Sequence, residues 1–199
     1  MPNNSHHHPG ATSPDHPGTS GIWTFVFIDM VIFFLFFGVY ISERQRLPDI
    51  FLSSQHQLSP LVGLVSTMAL LTSSWAMAEA VRALRENKIA RAGCALNWAL
   101  ALGAVFIVNK LFEYGGKFGH GITPLTNGFF TFYFLITGLH FLHVTGTMIF
   151  MTHCRVRLGV EAGALTYRKK LENVGLFWHF VDVLWLFIFP MLYLTELVG

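Results

Sequence analysis

Residues 129–146 read FFTFYFLITGLHFLHVTG and lie in an apolar run, 128–151, that is long enough to cross a bilayer. A hydrocarbon core needs about 20 such residues as a helix. Two histidines, His140 and His143, sit inside the run at a spacing that puts them on one helical face. Ionisable groups at that depth cost about 2.5–3.5 kcal/mol each on insertion scales, so they must face protein or water rather than lipid. The run is therefore read as a membrane helix with a polar face turned into a bundle.

Four more runs of similar length frame it: 22–42, 60–83, 92–112 and 174–197. Of the 199 residues, 53% are hydrophobic and only 12% charged, about half the charge of a soluble domain. The expectation is an all-α integral membrane bundle of five transmembrane helices, one domain over 21–199. Residues 1–20 (MPNNSHHHPGATSPDHPGTS) lack large aliphatic and aromatic side chains apart from Met1, and are read as a disordered cytoplasmic tail. His6, His7, His8 and His16 belong to that polar low-complexity segment. The tail has no Lys or Arg, and the run after it is too long for a signal-peptide core, so it is expected to stay as an anchor. A net charge of +2, with the basic residues at helix ends, offers nothing to a nucleic acid. Cys94 and Cys154 show neither metal-ligand spacing nor a pairing pattern.

Orientation follows from the basic residues. The tail, the connections 85–91 and 155–173, and Arg82 just before the first of them fall on one side, which carries nine Lys and Arg; the other carries four. The positive-inside rule puts the N-terminus in the cytoplasm and the C-terminus in the periplasm, across a bacterial cytoplasmic (inner) membrane. No internal repeat suggests a transporter.

The polar residues inside the runs are the candidates for chemistry. Asp29 lies among aromatic and branched neighbours in FVFIDMVIFF (25–34). It is either a protonated structural hydrogen-bonder or a proton-handling group. Thr137, Gly138, Thr145 and Gly146 around the two histidines are small enough to admit a neighbouring helix closely. In the last run, WHFVDVLWLFIFPMLYL (178–194), His179 and Asp182 share a face, and Trp178, Asp182 and Trp185 form an i, i+4, i+7 packing stripe. Pairing between these two runs as imidazole–carboxylate hydrogen bonds, with His140 or His143 meeting His179, Asp182 or Glu113, would lock their packing. The same cluster of His140, His143, His179 and Asp182 would serve a stand-alone membrane metalloenzyme. No Glu-x-x-His pair of the di-iron bundles occurs, and no metal site is expected. Lys110 and Glu113 are expected to pair at the outer boundary, with Tyr114 in the interfacial belt.

The motifs also come in a familiar order: FVFIDMVIFF, TSSWAMAEAVRALR (72–85), FEYGGKFGHGI (112–122), the His140/His143 segment and WHFVDVLWLFIFPMLYL. Over 21–197 the chain resembles subunit III of the haem–copper oxidases, in a short form with five helices where the long form has seven. The aspartate at 29, where oxidase subunits usually carry glutamate, and the short form together resemble the nitric oxide reductase accessory branch. The resemblance implies a non-catalytic subunit of an oxidoreductase complex, packed beside the catalytic haem–copper subunit I. It would bind phospholipid and support assembly and sustained proton-coupled electron transfer. It implies no cofactor in this chain, with haem and copper or iron in the partner subunit. Asp29, Glu113, His140, His143, His179 and Asp182 are then lipid-binding or proton-handling candidates rather than catalytic residues.

Overall fold

The computed structural model describes residues 20–194. The expected tail, apart from Ser20, lies outside the described residues, as do residues 195–197 of the last run. The chain is all-α. Among the described residues five helices are long and apolar enough to cross a membrane: α1 (Ser20–Arg46), α3 (Pro60–Arg85), α4 (Ile89–Gly119), α5 (Gly128–Glu161) and α6 (Leu165–Phe189), the last extended by a π-helical turn, Pro190–Leu194. A short helix, α2 (Pro48–Gln55), interrupts the first connection; its leading proline is pre-set for a helix's first position.

The helices outrun the apolar windows. Of the polar connections between the apolar runs, 113–127 is helical as far as Gly119, and 155–173 is helical apart from a turn at 162–164 between α5 and α6. Hydropathy sees a helix only where lipid surrounds it, whereas the polar residues beyond keep their intrahelical hydrogen bonds in water.

The centre of the bundle is α3 against α4, with α6 on α3 and α5 bridging α4 and α6. Close approach comes from small residues at three- and four-residue spacing: Ser66, Ala69, Ser73, Ala76, Ala80 and Ala83 on α3 are buried, as are Ala92, Ala95, Ala99 and Gly103 on α4. The Ser73 hydroxyl donates across the seam to the Ala99 carbonyl at 2.7 Å. A Cβ on Gly103 would come within 3.0 Å of Met148 and 3.1 Å of Trp178, which shows how closely α5 and α6 close on α4. Of the small residues expected to do this on α5, Thr137 is buried against its neighbours, but a Cβ on Gly138 or Gly146 would meet nothing within 4 Å.

α1 is the peripheral element. Only Val26, Asp29, Phe33 and Tyr40 are buried, a single stripe resting on α5 and α6. At the end carrying the α3–α4 turn, charged side chains tie the helices together. Arg85 bonds Glu172 at 2.8 Å, and Glu79 takes both Arg82 and Arg91 at 2.6 Å. The turn itself has Asn87 in the left-handed region, at φ 61°, which asparagine tolerates better than most residues. Beside it the Lys88 ammonium, hydrogen-bonded to Glu86 at 2.7 Å, holds that exposed carboxyl below its usual range.

Candidate functional site

Asp29 and His143 meet inside the membrane region. His143 Nε2 lies 3.2 Å from Asp29 Oδ1, and its Nδ1 lies 2.8 Å from the Leu139 carbonyl. The carbonyl only accepts, so Nδ1 carries a hydrogen. Nε2 and Oδ1 can then bond only through one shared proton, as imidazolium with carboxylate or imidazole with carboxylic acid. The Asp29 side chain is 8% exposed and its second oxygen, Oδ2, is buried with no partner among the described residues. The pair pins the peripheral helix α1 to α5. Beside it an apolar groove of about 510 Å³ runs between α1, α5 and α6, walled by Phe25, Leu142, Phe150 and Phe177 and lined also by His143 and Gly146. Gly146, which no helix approaches, leaves this groove open.

The imidazole–carboxylate contact is therefore between α5 and α1, not between α5 and α6 as the sequence suggested. The other candidates take separate partners. His179 Nδ1 lies 2.5 Å from the Ser74 hydroxyl on α3. Asp182 is buried, with Oδ1 unpartnered among the described residues. His140 is fully buried and neither ring nitrogen has a hydrogen-bond partner among the described residues; the ring packs edge-on to Phe106 and against Trp185, with centroids 5.5 and 5.1 Å away. Trp178 and Trp185 are 1% exposed, and the Trp185 indole N–H donates to Thr67 at 2.9 Å. The four residues of the metalloenzyme reading thus point to different neighbours. Among the described residues no three His, Cys, Asp or Glu side chains form a ligand set.

The sequence reading missed the most polar part of the core. Lys110 does not reach the surface: α4 continues nine residues past it, placing it roughly 14 Å inside the helix end. Its side chain is 1% exposed. The ammonium bonds Glu113 at 2.8 Å and the Tyr193 hydroxyl at 2.7 Å, and Tyr193 itself donates to Glu113 at 2.8 Å. The rings of Tyr114, Tyr133, Trp185 and Tyr193 surround the cation with centroids 5.0–5.7 Å away. Tyr114, expected in the interfacial belt, instead bonds Thr137 at 2.7 Å inside the bundle. The only signal for this cage was Lys-x-x-Glu-Tyr near the end of an apolar run, and that pattern reads equally well as a snorkelling helix end.

The cage depends on the π-helical turn that carries Tyr193. Pro190 has no N–H, which breaks the α-helical bonding at that point. Within the turn that follows, the Met191 carbonyl accepts from Tyr40 at 3.3 Å and the Leu192 carbonyl from Gln55 at 3.1 Å. α1 and α2 thereby hold the turn in place.

A family model described as cytochrome c oxidase subunit III matches residues 24–196, which takes in all five long helices. Cytochrome c oxidase subunit 3 of Alkalihalophilus pseudofirmus is 32% identical over 186 residues, covering 90% of this chain and 87% of that protein. The cytochrome bo(3) ubiquinol oxidase subunit 3 of Pseudomonas putida is 29% identical over 178 residues, 87% of this chain and 84% of that protein. The cytochrome c oxidase subunit 3 of a Bacillus species (strain PS3) is 26% identical over 179 residues, 90% of this chain and 86% of that protein. These oxidase subunits are of similar length, so the short form does not set this chain apart from them.

Proposed function

Because the chain belongs to the cytochrome c oxidase subunit III family, we propose that it is the non-catalytic third subunit of a bacterial respiratory haem–copper terminal oxidase. The observation that carries this reading is the family match across all five membrane helices. Haem and copper belong to the catalytic subunit I beside which this chain packs. Its own work is support: assembly, lipid retention and durable proton-coupled turnover. The groove between α1, α5 and α6 has the apolar walls that a phospholipid acyl chain requires. The paired Asp29 and His143 beside it supply one exchangeable proton, which either fixes α1 or takes part in proton delivery. A nitric oxide reductase, whose catalytic subunit would carry iron in place of copper, is the second reading for the partner, and Asp29 alone favours it.

Co-purification in mild detergent tests the assignment. A tagged chain is expected to bring down a haem-bearing catalytic polypeptide with copper. Iron in place of copper would move the assignment to the reductase, and recovery of the chain without any haem protein would contradict both. The proposed orientation rests on the excess of Lys and Arg at the ends joined by the α3–α4 and α5–α6 turns. Lys110, being buried in the core, no longer counts for the opposite side, which strengthens the asymmetry. Reporter fusions at residues 1 and 199 are expected to read cytoplasm and periplasm respectively; both on one side would refute the five-span topology.

A further inference from the structure

Two polar atoms on one face of α6 are claimed by none of the contacts above. Trp178 Nε1 and Asp182 Oδ1 each lack a hydrogen-bond partner among the described residues, although Trp178 is 1% and Asp182 5% exposed. One helical turn separates the two residues, so their side chains are neighbours. A helical side chain leans over the turn before its own Cα, which carries the Asp182 carboxyl towards Trp178. Ser74 of α3, bonded to His179, serves the carboxyl from the other side. The Trp178 ring is also the surface on which α4 closes, since a Cβ on Gly103 would come within 3.1 Å of it.

An indole N–H only donates, and a free carboxylate oxygen accepts. Leaving both unmet in the interior would cost about 1–3 kcal/mol each. Whatever joins them must accept from one and donate to the other. A metal ion accepts no hydrogen, a halide donates none, and a lipid or partner side chain does not reach atoms this enclosed. Water does both, and folded proteins hold about one buried water per 27 residues, typically on such unmet groups. We propose that a water molecule is bound between Trp178 Nε1 and Asp182 Oδ1 as a fixed part of the bundle. Asp182 is then a positioning residue: acting through the water, it holds the indole against Gly103, rather than binding lipid or relaying protons. The site rests on the fold alone. Its failure would leave the subunit III reading untouched.

Radiolytic footprinting of the full chain in nanodiscs tests this. Hydroxyl radicals made by X-rays from a bound water oxidise the side chain beside it, however deeply it is buried, and mass spectrometry locates the product. Trp178 is expected to be oxidised, while Phe129, 0% exposed and packed on Phe51 and Phe130, stays intact. Asp182→Leu should abolish the oxidation of Trp178. Asp182→Asn, whose amide oxygen still accepts, should keep it. An intact Phe129 shows that a variant is folded. An experimental density map should place an ordered water within about 3.2 Å of both atoms. Trp178 no more oxidised than Phe129, oxidation that survives Asp182→Leu in a folded chain, or a map in which the two atoms meet each other or another protein group would overturn the proposal.

Discussion

Lys110→Met is expected to lower stability in mild detergent by about 3–5 kcal/mol, the usual cost of removing one partner from a buried ion pair. The substitution keeps the aliphatic stem and removes only the ammonium. Glu113, 10% exposed, would then retain the Tyr193 hydroxyl but no cation. The turn carrying Tyr193 would also lose its bond to Lys110. Glu113→Gln is expected to cost less, because the cation keeps Tyr193 and four aromatic rings, and such contacts are worth up to about 2 kcal/mol when desolvated. The double variant Lys110→Met, Glu113→Gln should recover part of the loss, since neither charge is left buried alone. Denaturant titration of the three variants checks this order. A Lys110→Met protein as stable as the parent would show that the cage contributes nothing to the fold.

Asp29→Leu comes next in size, at about 1–3 kcal/mol, the cost of leaving a buried hydrogen-bonding group unpaired. His143 Nε2 would lose its partner, and α1, held by a single stripe of four buried residues, would loosen. Asp29→Asn separates structure from proton handling. Its amide can donate to a neutral Nε2, as a carboxylic acid does, but cannot release the proton. If the pair only fixes α1, Asn should preserve most stability and turnover of the complex, and Leu should damage both. If the pair relays protons, Asn should match Leu in turnover while remaining stable.

The long helices were legible because each presents some 20 apolar residues in a row, and lipid enforces that pattern. Their true ends were not, because the segments around Lys117 and Arg157 are polar helix that no apolar run marks. The eight residues of α2 are too few for a periodic signal, and Pro48 was the one cue available. Asp29 and His143 were each identifiable as buried polar groups. Their pairing was not, since the two lie 114 positions apart and hydropathy does not say which helices are neighbours. Lys110 was misplaced for a different reason: a cation near the end of an apolar run normally reaches water, and only the aromatic residues of three helices converging on it make burial tolerable. The motif pattern resembling subunit III was readable end to end, and the family match over residues 24–196 agrees with it.

Deleting this chain while keeping its catalytic partner, and recording haem spectrum, metal content and repeated turnover on one membrane preparation, separates support from catalysis. A supporting subunit predicts an almost unchanged haem spectrum, with lower assembly yield or activity that decays faster over successive turnovers. The opposite result is stoichiometric iron or copper on the isolated chain, with an activity of its own that His140→Ala and Asp182→Ala abolish.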